Sequence, residues 1–370
     1  MAPRAHLAFY EVCFDDGQCP STKQLVAMER GAFADGVDVV SISAGDDTQK
    51  PFYQDLTAVG SFSAVMSGVF VSTSAGNGGP DVATVVNCAP WVLTVAASTM
   101  DRDPRPAVAE YSSRGPCNMS SLGVLKPDIT GPGTSIVAAI PSSVPPRNAS
   151  ARTRTFGMFS GTSMSAPHLS GIAAVLKRAR PEWDGSPIAD DTTGLPASHF
   201  LMGSGLVNPT KALDPGLIYD LSPADYVSFV CGLGYDDNYV NEIIAQPMQN
   251  VSCSTVSKIT GRDLNYPSFL VTLTAAAPEV EVRRTVTNVG EAASVYTAEV
   301  VAPNGVAVDV VPNRLQFGSV NQRVEYRTIS GGTQPELEER RSVEGSLRWV
   351  SDKHSVRSPI VVLDGTLSLA

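Results

Sequence analysis

Between residues 37 and 98 the apolar positions collect into three short runs rich in β-branched residues. They are VDVVSIS at 37–43, GVFVSTSAGN at 68–77 and WVLTVAAS at 91–98. Runs of this length, bounded by turn residues such as Gly36 and Gly45, predict buried strands. Helix-length runs at 22–34 and 52–67 punctuate them. Strands that alternate with helices predict parallel βαβ units with right-handed crossovers. A further short strand is expected at 135–140, SIVAAI. Apolar residues at Leu169, Ile172, Ala173, Val175 and Leu176 follow helical spacing. A helix running from Ser163 should therefore cover one face of the sheet.

The pattern changes past residue 212. Residues 213–262 are mixed, with a short helix expected near 222–231. From Leu264 onward the runs are strands alone: SFLVTLT, EVRRTVTNV, SVYTAEVV, VAVDVVP, GSLRWVS and SPIVVL. Short strands separated by Gly, Pro and Asn turns predict a β-sandwich.

Composition narrows the function classes. The chain has 370 residues, 43% hydrophobic and 17% charged, with a net charge of −10. That length allows two or three domains. The negative charge argues against nucleic acid or an anionic membrane surface as partner. No window approaches 18 uninterrupted apolar residues, so no membrane span is expected. The start, MAPRAHLAFYEVC, lacks the apolar core of a secretory signal. Other features point outward. Three N-x-S/T sequons begin at Asn118, Asn148 and Asn250. Six cysteines include two local pairs, Cys13 with Cys19 and Cys231 with Cys253, which suit disulfides in an oxidising compartment. Cys88 and Cys117 have no obvious partners. The cysteine spacings do not form a zinc site, and no acidic cluster reads as a calcium site. No metal and no cofactor are expected.

The chemistry concentrates in three segments. GTSMSAPH (161–168) puts Ser163 at a helix start, where the helix dipole favours developing negative charge. The plain alternative is a serine-capped core helix. SAGNGGP (74–80) ends a predicted strand, where ligands of open parallel sheets bind. An Asn side chain there can donate to an oxyanion. YSSRGP (111–116) and LKPDITGPG (125–133) read as a loop pair flanking the same edge.

Together these segments resemble the subtilisin-like serine proteases, and more narrowly their plant members. NPTKALDPGLIYD, LNYPSF and RTVTNVG resemble further stretches of the plant type, so the similarity runs over nearly all of the chain. The resemblance implies an α/β fold: a partial subtilisin-like parallel sheet with flanking helices, then a fibronectin type III-like β-sandwich. It implies a partial peptidase domain over 1–212, a connecting segment over 213–262 and the sandwich over 263–370. It implies Ser163 as nucleophile and Asn77 as oxyanion donor. Ser43, Ala44 and Gly45, with Ala75 and Gly76, match the segments that bind extended substrate. The family usually carries a bulkier residue at position 44. Ser165 lies about 200° around the helix from Ser163 and is expected to be structural. The implied partner is an extended peptide or protein, and the implied location of the full-length protein is extracellular, in the cell wall or apoplast.

A serine hydroxyl needs a base, and the base an orienting acid. The family supplies both upstream of the substrate strand, in the order Asp, His, Ser. Here no Asp-Thr/Ser-Gly precedes residue 37, and no His-Gly-Thr-His occurs. His168 lies about 140° around the helix from Ser163. His6 opens a strand-like run, AHLAFYEV; His199 and His354 lie far along the chain. None reads as a replacement base. PRPAVAEYSSRGP also follows ASTMDRD almost at once, where plant members usually carry an inserted protease-associated domain. The expectation is a truncated, internally shortened serine endopeptidase, inactive as given. The alternative is a non-catalytic remnant or peptide-binding pseudo-protease. An unrelated α/β hydrolase would need G-x-S-x-G, which is absent here.

Overall fold

The computed structural model describes residues 2–13, 19–45, 50–100, 106–117, 123–140, 155–179, 189–190, 197–244, 251–332 and 342–365. A parallel sheet forms the first half. Its strands are β1 (Val39–Ile42), β2 (Phe70–Ser74), β3 (Leu93–Ser98), β4 (Ala107–Val108) and β5 (Ile129–Pro132). β1, β2, β3 and β5 run parallel in that spatial order, and β4 meets β3 at the single pair Ser98–Val108. β6 (Ile136–Ala139) was expected as a further short strand, but it stands apart from the sheet. It forms an antiparallel ribbon with β7 (Phe156–Phe159). β8 (Ala189–Asp190) pairs with β4.

Helices α1 (Ser21–Glu29) and α2 (Leu56–Met66) cover one side of this half, with α3 (Thr162–Ala179) against β1, β2, β3 and β5. α1 runs on into a π-helical turn over Arg30–Ala34. The start of α2 is set by Asp55, whose Oδ1 accepts from Thr57 N (2.9 Å) and Ala58 N (3.2 Å). Trp91 fixes α2 on the sheet. Its indole donates to Ala58 O (3.1 Å) and Ser61 Oγ (3.0 Å), and its ring meets Phe52 and Phe62 edge-on at 5.0 Å.

Residues 213–262 do more than connect. After α4 (His199–Met202) and β9 (Leu217–Ile218) come α5 (Pro223–Gly232) and α6 (Asp237–Ile244). Val227, Phe229, Val230, Val240 and Ile243 join the same core as Phe52, Phe62 and Trp91. The later strands are β10 (Phe269–Leu273), β11 (Glu279–Asn288), β12 (Ser294–Val301), β13 (Val306–Val311), β14 (Arg314–Phe317), β15 (Arg323–Gly332), β16 (Ser342–Val350) and β17 (Ser355–Asp364). They form two sheets, β10-β17-β16-β12-β14 and β13-β15-β11-β9. Phe269, Tyr296, Tyr326, Leu347 and Trp349 fill the space between them.

The structure corrects the reading in several places. Residues 5–12 form no strand; Leu7 and Phe9 are exposed, and Tyr10 packs against the Arg30–Ala34 turn near Gly31 while its hydroxyl bonds Asp35 (2.5 Å). LKPDITGPG is not only a loop, because Ile129–Pro132 is the strand beside β3. β14 and β15 were not anticipated. β15 carries Arg323, Glu325 and Arg327 among its apolar positions, so its solvent-facing charges hide the strand pattern. Disulfides join Cys13 to Cys19, Cys231 to Cys253, and also Cys88 to Cys117 across 29 residues.

Candidate active site

α3 begins where the parallel sheet ends. Ser163 is its second residue, and its Oγ donates to Ser43 O at 3.3 Å. Ser43 Oγ donates back to Ser163 O at 2.9 Å. The end of β1 and the start of α3 therefore hold each other. Ser43 is exposed and Ser163 half-buried, so a solute can approach the serine from that side.

Asn77 reaches the same helix start from the end of β2. Its Oδ1 accepts from Thr162 N (2.9 Å) and Thr162 Oγ1 (3.0 Å). Asn77 thus caps α3 from outside, satisfying an amide that the first turn leaves free. Among the described residues its Nδ2 has no hydrogen-bond partner, and it lies 3.6 Å from where a Cβ on Gly161 would stand. Thr162 Oγ1 also accepts from Gly76 N at 3.2 Å. Gly76 has φ +99°, and a Cβ there would come within 2.7 Å of Ser113 Oγ. Ser113 Oγ in turn accepts from Gly78 N at 2.9 Å.

Ala75 is buried and paired on both sides: its N–H donates to Val95 O and its carbonyl accepts from Val86 N, each at 2.9 Å. Ala44 O accepts from Asn87 Nδ2 at 3.0 Å. Gly45 sits where a Cβ would stand 2.9 Å from Val86 Cγ2. The structure brings Ser43, Ala44, Gly45, Ala75, Gly76, Asn77 and Ser163 to one end of the sheet. Asn118, Asn148 and Asn250 lie outside the described residues.

Ser165 is buried, and its Oγ donates to Gly131 O at 2.9 Å. The histidines are elsewhere engaged. His168 Nδ1 meets Met164 O one turn back at 2.7 Å. His199 is buried, with Nδ1 against Gly203 O (3.1 Å) and Nε2 against Arg357 (3.4 Å). His354 Nε2 lies 3.0 Å from Asp214. His6 is on the exposed N-terminal segment. None of the four is a hydrogen-bond partner of Ser163 Oγ. Among the described residues, no group of three His, Cys, Asp or Glu is placed to hold a metal ion. No described helix is long and apolar enough to cross a membrane.

Thr162, Ser113 and Asn87 were missed as contributors. Ser113 lies inside YSSRGP, so its motif was visible while its target was not. Nothing local marks Asn87.

Comparison with known proteins adds lineage to this geometry. The family described as "Subtilase family" matches residues 1–192, and "Fibronectin type-III domain" matches residues 263–362. Subtilisin-like protease SBT1.6 of Arabidopsis thaliana is 31% identical over 534 residues, spanning 98% of this chain and 69% of that protein. Subtilisin-like protease SBT1.4 of the same plant is 29% identical over 527 residues, spanning 98% and 67%. Alignments longer than the chain cross stretches of the relatives with no counterpart here. Among solved structures, Sphericase is 24% identical with a TM-score of 0.38, covering 53% of this chain and 66% of that one.

Proposed function

The chain belongs to the subtilase family, and from that membership we propose how its 370 residues act when they stand alone. The family's activity is serine-type endopeptidase proteolysis, and its substrates are peptides or proteins. In our reading this chain keeps the binding half of that machinery and not the activating half. An extended peptide lies along the backbone edge at Ser43–Ala44–Gly45, with Ala75–Gly76 beside it. Ser163 faces the scissile position, and Asn77 Nδ2 is the oxyanion donor. Removal of one such donor costs about 10²–10³ in turnover in an active site of this type.

The observation that carries the reading is the bonding of Ser163 Oγ. It donates to a backbone carbonyl, and no described histidine nitrogen is its partner. Without a base the hydroxyl stays protonated at neutral pH and is a poor nucleophile. The isolated chain is then a peptide-binding pseudo-protease. The three disulfides support an oxidising, extracellular setting, with Asn118, Asn148 and Asn250 as glycosylation sites.

A fluorophosphonate probe tests this, because it labels activated serines. The expected result is no stoichiometric labelling of Ser163 in the purified chain. It should come with saturable binding of a fluorescein-labelled Ala-Ala-Phe-Ala-Ala peptide by anisotropy. Full labelling of Ser163 would overturn the reading. A second reading, a complete endopeptidase when further sequence supplies the acid and base, is favoured by the outer edge of β1, which has no strand partner among the described residues. It predicts labelling only in an upstream-extended chain.

A further inference from the structure

The backbone ladder between β1 and β2 stops at the pair Ile42–Thr73. Beyond it the chain runs on as Ser43–Ala44–Gly45 and Ser74–Ala75–Gly76, the two segments assigned above to the peptide, with Val86 packed against both Gly45 and Gly76. Something other than the ladder must set their separation. The structure puts Asn87 there. Both hydrogens of its carboxamide have targets: Nδ2 donates to Ala44 O at 3.0 Å and to Ser74 O at 2.8 Å. The backbone carbonyl of Asn87 accepts from Thr94 Oγ1 at 2.7 Å, which ties it to β3. Asn87 is buried and has φ +56°, a left-handed conformation that asparagine tolerates better than most residues.

The next residue is anchored as well. Cys88 is joined to Cys117 and both are buried. Cys117 follows shortly after Ser113, whose hydroxyl holds Gly78 and stands against Gly76. The disulfide therefore links the loop that ties the two segments to the stretch that shapes the Asn77 turn.

We infer that Asn87 is a positioning residue of the peptide cleft, setting the separation of its two backbone segments, and that the Cys88–Cys117 disulfide holds Asn87 in place. This rests on the peptide-cleft reading, but its decisive measurement needs no peptide. Asn87→Asp keeps the shape and the backbone tolerance while replacing the donor with an acceptor facing two carbonyls. Asn87→Gly keeps the backbone conformation and removes the side chain.

The test is hydrogen exchange in the full chain. In both variants the amides of Ala75 and Gly76, which donate to Val95 O and Thr162 Oγ1, should exchange at least about tenfold faster. The centre of β3 and the β-sandwich should keep their wild-type rates. A Cys88→Ser, Cys117→Ser double variant should show the same local pattern more weakly. Unchanged exchange at Ala75 and Gly76 would overturn the inference. So would a uniform rise across the whole sheet, which marks a merely structural residue. Failure of both Asn87 variants to fold would overturn it too, since the residue would then hold the fold and not the separation. In a parallel titration, the labelled Ala-Ala-Phe-Ala-Ala peptide should bind Asn87→Asp at least about tenfold more weakly than wild type. Absence of binding to the wild-type chain would count against the peptide-cleft reading and leave the exchange result to judge Asn87.

Discussion

The β-sandwich draws its strands from one nearly contiguous stretch of chain, and the parallel sheet gathers its strands from separate ones. In the sandwich, β11 is flanked by β15 and β9, and β16 by β17 and β12. Trp349, Tyr296 and Tyr326 are fully buried between the two sheets. In the α/β half, β1 has β2 on one side and no strand among the described residues on the other. Leu7 and Phe9 stand 76% and 88% exposed nearby in sequence, and Phe156 and Met158 of the β6–β7 ribbon are 62% and 68% exposed. The difference follows from connectivity. The strands β10 to β17 all lie within residues 269–364, so one contiguous stretch of chain supplies nearly all of both sheets, with β9 added from before it. Parallel strands pair across long crossovers, so each neighbour must come from far away in sequence. Among the described residues β1 is thus an edge strand of the parallel sheet, as β10, β14, β13 and β9 are of the sandwich sheets.

The largest expected effect breaks the sandwich. Trp349→Ala removes a fully buried ring that meets Tyr326 edge-on at 5.0 Å. Such truncations cost about 3–5 kcal/mol. Denaturant unfolding should show that loss in the β-sandwich. If the α/β half unfolds at its wild-type midpoint, the two regions are energetically separate; a joint shift would show that the sandwich supports its neighbour.

The next probes the tie between the regions. The Tyr266 hydroxyl donates to Asp128 Oδ1, and Asp128 Oδ2 pairs with Lys126 Nζ at 2.6 Å and accepts from Thr94 N at 2.7 Å. Lys126 is completely buried, which pushes its pKa down against the pull of Asp128. Tyr266→Phe should cost about 1.5–3 kcal/mol, the range for a hydrogen bond to a charged group. An unchanged denaturation midpoint would mean that the regions are joined by apolar contact alone.

The smallest effect is a pH dependence. Burial, and to a lesser degree the Arg357 guanidinium, hold the His199 pKa below its ordinary 6.5, against the opposing pull of Glu344. Ser198 Oγ and His199 N both donate to Glu344 of β16, so this histidine sits on the seam between α4 and the sandwich. Its folded form binds protons less readily than its unfolded form. Stability is therefore full above pH 6.5 and falls as pH drops from 6.5 toward the depressed value. His199→Asn should flatten that slope in thermal melts from pH 7.5 to 4.5. An unchanged slope would remove His199 as its source.

Much of the α/β layout was legible. The β-branched runs marked β1, β2 and β3, because buried parallel strands need continuous apolar side chains. The helical spacing after Ser163 marked α3 for a similar reason. β5 was not legible as a strand, because Gly131 and Pro132 break its pattern. It is a strand because β3 offers it a free edge. In the candidate site, short motifs point to Ser163, Asn77 and the segments at 43–45 and 75–76, which the structure places at one end of the sheet. Thr162, Ser113 and Asn87, which hold those groups in place, were not singled out.

By itself the sequence determined the order of β1, β2, β3 and α3, the helix start at Ser163 and the strand end at Asn77. Each is written locally, in periodicity or in a run of a few residues. The tertiary structure alone decided that β15 is a central strand, that residues 213–262 complete the α/β core, and that Cys88 joins Cys117. It also decided that one asparagine bonds carbonyls 43 and 13 residues away. A hydrogen bond to a remote backbone carbonyl leaves no trace in composition or period, since every residue offers the same acceptor and only the fold selects which one is near.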